Sequence, residues 1–195
     1  MNLPNLLTMG RILVIPLVLY LLDRGGPFDC YLAALVFVMA AITDFLDGYL
    51  ARKRNLVSVL GKFLDPLADK LIVTATLVWL VTMGRVPAWL VIILIGREIT
   101  ITALRGIATT EGLVIAAGEG GKSKTALQMV GLVCLILGYP YHVNLYVVDF
   151  GVVDLVMVGR ALIYGSLVFS IVSAFQYGKF FVDAVEAKAK RARVG

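Results

Sequence analysis

"DFLDGYLARKRNLVSVLGKFLDPLAD", residues 44–69, places four aspartates within 26 residues of a chain that is otherwise 60% hydrophobic. Asp44 and Asp47 are three apart. Asp65 and Asp69 are four apart. In a helix each spacing puts both carboxylates on one face. The first pair closes an apolar run and the second opens the next one. The short basic connector between them makes a helical hairpin, in which all four carboxylates can converge. Carboxylates in a low-dielectric setting repel each other and are functional by default.

The apolar setting is evident from the whole chain. It has 195 residues, 16% of them charged, and a mean hydropathy of +0.92. Soluble domains carry about 25% charged residues. The composition predicts an all-α, polytopic membrane protein, with residues 1–195 as one domain and 178–195 as a basic cytoplasmic tail. The opening "MNLPNLLTMGR" lacks the basic start and small-residue cleavage site of a signal peptide, so the first helix is expected to be retained. Cys30 and Cys134 lie far apart in or beside apolar runs and read as small buried hydrophobes, not as a disulfide or metal pair. The net charge of +5 points to anionic lipid surfaces or anionic substrates and away from nucleic acid.

Spans of about 20 apolar residues predict six transmembrane helices, at 6–22, 31–50, 63–83, 87–107, 125–141 and 152–177. "DRGGPFD" at 23–29 is a turn signal, and the glycine-rich 111–124 is the longest loop. Lys and Arg resist translocation. Arg52, Lys53, Arg54 and Lys62 lie in one connector, Lys122 and Lys124 in another, and Lys179, Lys188, Lys190, Arg191 and Arg193 in the tail. The opposite loops hold Arg24 beside two aspartates, a lone Arg85, and no Lys or Arg from Gly138 to Gly151. Both termini and the aspartate segment are thus expected to face the cytoplasm, at the cell's inner (cytoplasmic) membrane. The tail reads as a surface helix on anionic lipid or as a solvated topology signal. Arg160, in the sixth helix, is expected to snorkel to the outer interface. Tyr20, Trp79 and Trp89 read as interfacial anchors. His142, in an external loop, has no expected role in chemistry at the cytoplasmic face.

Four convergent carboxylates without His or Cys suit hard cations such as Mg²⁺ or Mn²⁺. Two divalent ions would balance their charge and could clamp the attacking and leaving oxygens of a phosphoryl transfer. Gly48 and Ala51 are small on the first aspartate face, which leaves room for a bulky ligand and also permits close helix packing. Two other readings compete. The aspartates could pair with Arg52, Lys53, Lys62 and Lys70 as surface salt bridges. They could instead form the acidic site of a cation transporter, although the adjacent basic residues would repel cations.

Asp44-x-x-Asp47-Gly48-x-x-Ala51-Arg52, a spacer of eight, and Gly61-x-x-x-Asp65-x-x-x-Asp69 together resemble the signature of the CDP-alcohol phosphotransferases, without departure at any specified position. The resemblance covers nearly the whole chain and implies a six-helix membrane fold. It also implies a reaction in which an alcohol hydroxyl attacks the phosphorus joining CDP to a lipid, and CMP leaves. On this resemblance Asp44, Asp47, Asp65 and Asp69 are metal ligands, with Asp69 also the general base. Gly48, Ala51 and Arg52 lie against the cytidine nucleotide, Arg52 on its phosphates. "PNLLTMGR" is similar to the family's opening, which would bring Asn5 and Thr8 to the nucleotide; the alternative for these two is a plain helix cap. A homodimer among membrane lipids is the usual family assembly.

"IGREITITALRG" (95–106) and "GKSKTALQ" (121–128) resemble the bacterial phosphatidylglycerophosphate synthases, whose acceptor is glycerol 3-phosphate and whose lipid donor is CDP-diacylglycerol. Arg97, Arg105, Lys122 and Lys124 are then candidates for the acceptor phosphate, because phosphate recognition favours Arg forks and Lys point charges. The alternative for Arg97 is a pair with Glu98, and for the two lysines, topological anchoring. Inositol phosphate, serine and phosphatidylglycerol are the competing acceptors.

Overall fold

The computed structural model describes the backbone of residues 3–53, 59–112, 120–145 and 148–194. Its described side chains leave out, within those ranges, 3–9, 11, 44–53, 59–69, 120–123, 142–145, 148–150 and 191–194. The described residues form six helices and one hairpin: α1 (Leu3–Arg24), α2 (Pro27–Lys53), α3 (Val59–Thr82), α4 (Ala88–Thr110), α5 (Gly120–Leu137), β1 (Pro140–Leu145), β2 (Val148–Asp154) and α6 (Leu155–Val194). The protein is therefore mostly helical, as the apolar runs predict.

Residues 1–87 and 131–160 make one compact unit; residues 88–130 and 161–195 make another. In the first, α1 packs against both α2 and α3. Its core holds Val18 and Leu22 of α1, Ala33, Ala34 and Phe37 of α2, Leu77 and Leu80 of α3, and Leu132, Leu135 and Ile136 of α5. Gly159 lies so close to α5 that a Cβ there would come 2.9 Å from the Gly131 carbonyl oxygen. In the second unit, Leu94, Ile101 and Ala108 of α4 are buried at seven-residue intervals, the stripe of a helix with one packed face. Ile163, Leu167 and Tyr177 of α6 are buried with them in that unit.

Local chemistry sets the helix ends. Gly25 takes a left-handed φ of 68° after α1, and Pro27 opens α2, where its missing N–H is not needed. At the end of α3, Gly84 has φ 68°. Its N–H donates to the Val81 carbonyl at 2.9 Å, and that of Arg85 donates to the Leu80 carbonyl at 3.0 Å. This is the doubled closure that satisfies terminal carbonyls. Asp154 caps α6 by accepting from the N–H groups of Val156 (2.9 Å) and Met157 (3.3 Å).

A buried arginine clamps the first unit. Arg85 donates through Nη1 to the carbonyls of Leu135 (2.8 Å) and Ile136 (2.7 Å), the last turn of α5, and through Nη2 to Cys30 Sγ at 3.4 Å. Its guanidinium stacks 5.6 Å from the Tyr139 ring centroid, and the Tyr139 hydroxyl donates to the Gly25 carbonyl. A cation at a helix C-terminus complements both the free carbonyls and the dipole. Gly138 has φ 59°, and a Cβ there would stand 2.1 Å from the Arg85 guanidinium. Gly138→Ala is therefore expected to destabilise the protein by about 2–4 kcal/mol, from the left-handed backbone and the displaced charged hydrogen bonds. Denaturant unfolding in detergent checks this, and a loss below about 0.5 kcal/mol, the range of an ordinary surface change, would rule out the clamp as a stabilising element.

Arg160 reaches the loop after α3, where Nε donates to the Arg85 carbonyl at 2.7 Å and Nη2 to the Gly84 carbonyl at 2.6 Å, so it caps the end of α3. Two expectations are corrected. Residues 140–145 and 148–154 pair as antiparallel strands with an irregularity between His142 and Asn144, not a bare loop. The tail is no separate surface helix: α6 runs unbroken for 40 residues to Val194.

Large apolar side chains are exposed on all six helices, among them Leu13, Met39, Val78, Ile92, Val130 and Val168. Among the described residues, the segment of α6 from Leu155 to Lys190 is long and apolar enough to cross a membrane.

Candidate functional site

The four aspartates fall on helical backbone, as their three- and four-residue spacings require. Asp44 and Asp47 lie in the latter part of α2, and Asp65 and Asp69 in the first half of α3. Gly48, Ala51 and Arg52 continue α2; Asn5 and Thr8 are on α1. The side chains of these nine residues lie outside the described ones. All nine belong to the first unit. The donors that these helices carry are hard carboxylate oxygens, the set that fits a divalent cation of the Mg²⁺ class.

The second unit carries the basic candidates. Arg97 is fixed on three sides. Nε donates to the Ser170 carbonyl at 2.9 Å, Nη2 to the Ser173 hydroxyl at 3.1 Å, and Nη1 to Glu98 Oε2 at 3.2 Å. The same Glu98 oxygen accepts from Lys124 Nζ at 2.5 Å. The Lys124 side chain is 8% exposed, and an ammonium so buried requires an anionic partner. The Arg97–Glu98 pair considered from sequence is thus present, and it extends to Lys124. Arg105 is exposed, with its guanidinium 5.5 Å from the ring centroid of the buried Tyr177. Lys122 lies in the first turn of α5, on the same helix as Lys124; its side chain is outside the described ones.

At the far end of α4, Lys188 Nζ donates to Glu111 Oε2 at 2.6 Å and to the Glu111 carbonyl at 2.9 Å. The ammonium holds the Glu111 carboxyl below its ordinary value, mainly through the hydrogen bond. A lowered carboxyl favours the folded arrangement above the unfolded value, and the advantage is lost as the pH falls through the folded one. Sequence reading missed the bridging of Glu98, the serines of α6 and the Lys188 link. Glu98 was visible as the neighbour of Arg97, but Lys124 is 26 residues further along the chain.

Residues 1–172 match the family described as CDP-alcohol phosphatidyltransferase. The chain is 38% identical over 188 residues to the CDP-diacylglycerol–glycerol-3-phosphate 3-phosphatidyltransferase of Bacillus subtilis, covering 90% of this chain and 93% of that one. It is 36% identical over 178 residues to the protein of the same name from Rickettsia typhi, covering 91% and 96%. A CMP-forming cardiolipin synthase of Oryza sativa is 41% identical over 150 residues, covering 70% of this chain and 46% of its own. With its aspartate pairs on successive helices and a match through most of its length, the chain belongs to the CDP-alcohol phosphatidyltransferase family.

Proposed function

We infer that this protein transfers the phosphatidyl group of CDP-diacylglycerol to glycerol 3-phosphate, giving phosphatidylglycerophosphate and CMP. The observation that carries the reading is the 38% identity to the Bacillus subtilis enzyme of that name over 90% of the chain, with the aspartate signature intact at 44–69.

A primary or secondary hydroxyl is a weak nucleophile at neutral pH, so a carboxylate within reach of its proton is required. Asp69 accepts that proton. The hydroxyl oxygen bonds to the phosphorus carrying the diacylglycerol, the bond from that phosphorus to the CMP oxygen breaks, and CMP leaves with the electron pair. Arg52 neutralises charge on the departing phosphate. Asp44, Asp47, Asp65 and Asp69 would hold two divalent cations, Mg²⁺ or Mn²⁺. When bound, such ions supply charge neutralisation at both oxygens of the displacement. Asn5, Thr8, Gly48 and Ala51 line the nucleotide in this reading. Arg97, Arg105, Lys122 and Lys124 supply the positive charge that draws in a phosphorylated acceptor.

The test is one assay of CMP release by purified protein with CDP-diacylglycerol and a divalent metal, against a panel of acceptors. Glycerol 3-phosphate is expected to support turnover, and serine, inositol phosphate and phosphatidylglycerol are expected not to. Phosphatidylglycerol is in the panel because one relative is a cardiolipin synthase. Preference for any of the other three would overturn the acceptor. Ion flux through reconstituted vesicles, with no CMP released, would favour the transporter reading.

The exposed apolar side chains on every helix support spans in a membrane, and the Lys and Arg of the 52–62 connector, Lys122, Lys124 and the basic tail support placing both termini and the aspartates at the cytoplasmic face. In a background with Cys30 and Cys134 replaced by alanine, cysteines at Asn55 and Gly195 are expected to react with an impermeant thiol reagent from the cytoplasmic side alone. One at Asp23 is expected to react from outside alone. The reverse pattern would place the chemistry on the wrong face of the membrane.

A further inference from the structure

We propose that Tyr177 is a positioning residue that holds Arg105 ready for the phosphate of the acceptor. The proposal rests on the reading of the reaction given above, and adds a residue and a role to it. Two arginines of α4 meet α6 within one unit, in different ways. Arg97 directs its N–H bonds to the Ser170 carbonyl, the Ser173 hydroxyl and Glu98. Arg105, further along the same helix, is exposed. Among the described residues it makes no hydrogen bond and no ion pair; its guanidinium lies over the Tyr177 ring, 5.5 Å from the centroid.

The helix around Arg105 supplies no counter-charge. Side chains three and four positions away share its face, and these are Ile101, Thr102, Ala108 and Thr109. The two threonines turn their hydroxyls back to the helix: Thr102 donates to the Glu98 carbonyl at 2.7 Å and Thr109 to the Arg105 carbonyl at 2.8 Å. The carboxylates nearest in sequence are engaged elsewhere, Glu98 by Arg97 and Lys124, and Glu111 by Lys188. Arg105 is therefore a charge held by a ring and by no anion, with its edge open to solvent.

That choice of partner matters for binding. A carboxylate would fix the side chain equally well, but would occupy its N–H bonds and cancel its charge. An aromatic face fixes a guanidinium and leaves the donors, which lie in the guanidinium plane, available to a phosphate. Phosphate oxygens match that planar fork. Tyr177 is 8% exposed, so the platform is itself held by packing. Arginine is otherwise a long and mobile side chain, and whatever ordering the ring imposes beforehand is not required when the acceptor arrives. Arg105 meets the ligand, and Tyr177 acts through Arg105.

The experiment measures the dissociation constant for glycerol 3-phosphate by calorimetry, with kcat and with KM for both substrates. The proteins are wild type, Tyr177→Leu, Tyr177→Phe, Arg105→Lys, Arg105→Ala and the double variant of Tyr177→Leu with Arg105→Ala. Tyr177→Leu is expected to weaken glycerol 3-phosphate about three- to fivefold, the effect of losing one cation–ring contact. KM for CDP-diacylglycerol and kcat are expected to stay within about 1.5-fold of wild type. Tyr177→Phe, which keeps the ring and loses the hydroxyl, is expected to recover the affinity. In the Arg105→Ala background Tyr177→Leu is expected to change it no further, because both act through one contact. Unchanged affinity in Tyr177→Leu, a loss in Tyr177→Phe as large as in Tyr177→Leu, full additivity in the double variant, or equal losses for both substrates would each overturn the proposal. If Tyr177→Leu does not fold, Arg105→Lys is read in its place. Lysine keeps the charge and loses the planar fork, so wild-type affinity in that variant would likewise overturn it. Failure of the wild type to bind glycerol 3-phosphate overturns it as well. Binding without CMP release would instead overturn the reaction and leave the Tyr177 role to be judged by the affinities.

Discussion

Changing Asp44, Asp47 or Asp65 to asparagine is expected to abolish most turnover, by about 10²–10³-fold or more for each, while the protein still inserts and can be purified. That range is what removing one strong electrostatic stabiliser of a transition state gives in other enzymes. The substitution keeps side-chain size but removes a unit of negative charge and weakens the oxygen as a ligand for a hard cation. Chelation by EDTA is expected to have the same effect on the wild type, with recovery on adding Mg²⁺ or Mn²⁺. Three observations motivate the expectation: two carboxylate pairs on successive helices, an all-oxygen donor set, and an otherwise apolar chain. CMP release per milligram of membrane-extracted protein is the measurement. Near-normal activity in any of the three variants, or activity indifferent to EDTA, would remove the two-metal reading.

Asp69→Asn separates binding from chemistry. Loss of a general base lowers turnover by about 10²–10⁴-fold. If Asp69 takes the proton from the acceptor hydroxyl, CDP-diacylglycerol should bind this variant better than it binds the other three, because the remaining carboxylates still hold the cations. The comparison is the ratio of turnover to lipid affinity across the four variants. A parallel fall in both quantities for Asp69→Asn would make this residue a ligand or a structural group and would require another base.

The helices were legible because each carries an apolar run of nearly spanning length, and their order and number follow from hydropathy. Their ends were less legible. Several helices extend a few residues past the apolar runs, because caps such as Pro27 and Gly84 are set by backbone chemistry and not by hydrophobicity. The hairpin was missed for a related reason. Residues 140–154 hold neither a long apolar run nor a two-residue turn signal, although Val143, Val147, Val148, Val152 and Val153 give the segment strong β-propensity. The tail illustrates the opposite error. Its charges suggested a break from the sixth span, yet "VDAVEAKAKRA" is made of good helix formers and nothing in it stops a helix already under way.

The candidate site divides along the same lines. The aspartates announce themselves because carboxylates are rare in such a composition and their spacing is helical. The basic residues could be nominated from motif spacing, but their partners could not. Lys124 finds Glu98 through the packing of α5 and α4 in one unit, and Arg97 finds Ser170 and Ser173 on α6. Such contacts depend on tertiary register, which local pattern does not encode. Arg85 and Arg160 were invisible for the same reason: both donate to backbone carbonyls, which every sequence possesses equally.

The continuity of α6 has a mechanical consequence. Forty residues of helix at about 1.5 Å each extend roughly 60 Å, about twice the hydrocarbon thickness of a bilayer. The basic tail is thus carried on the end of a stiff rod, and a force applied near Lys188 is transmitted as a twist or tilt along the helix that bears Ser170 and Ser173. A fluorophore or spin label near the C-terminus would therefore report the orientation of that helix, where a label on a loose tail would report only its own tumbling.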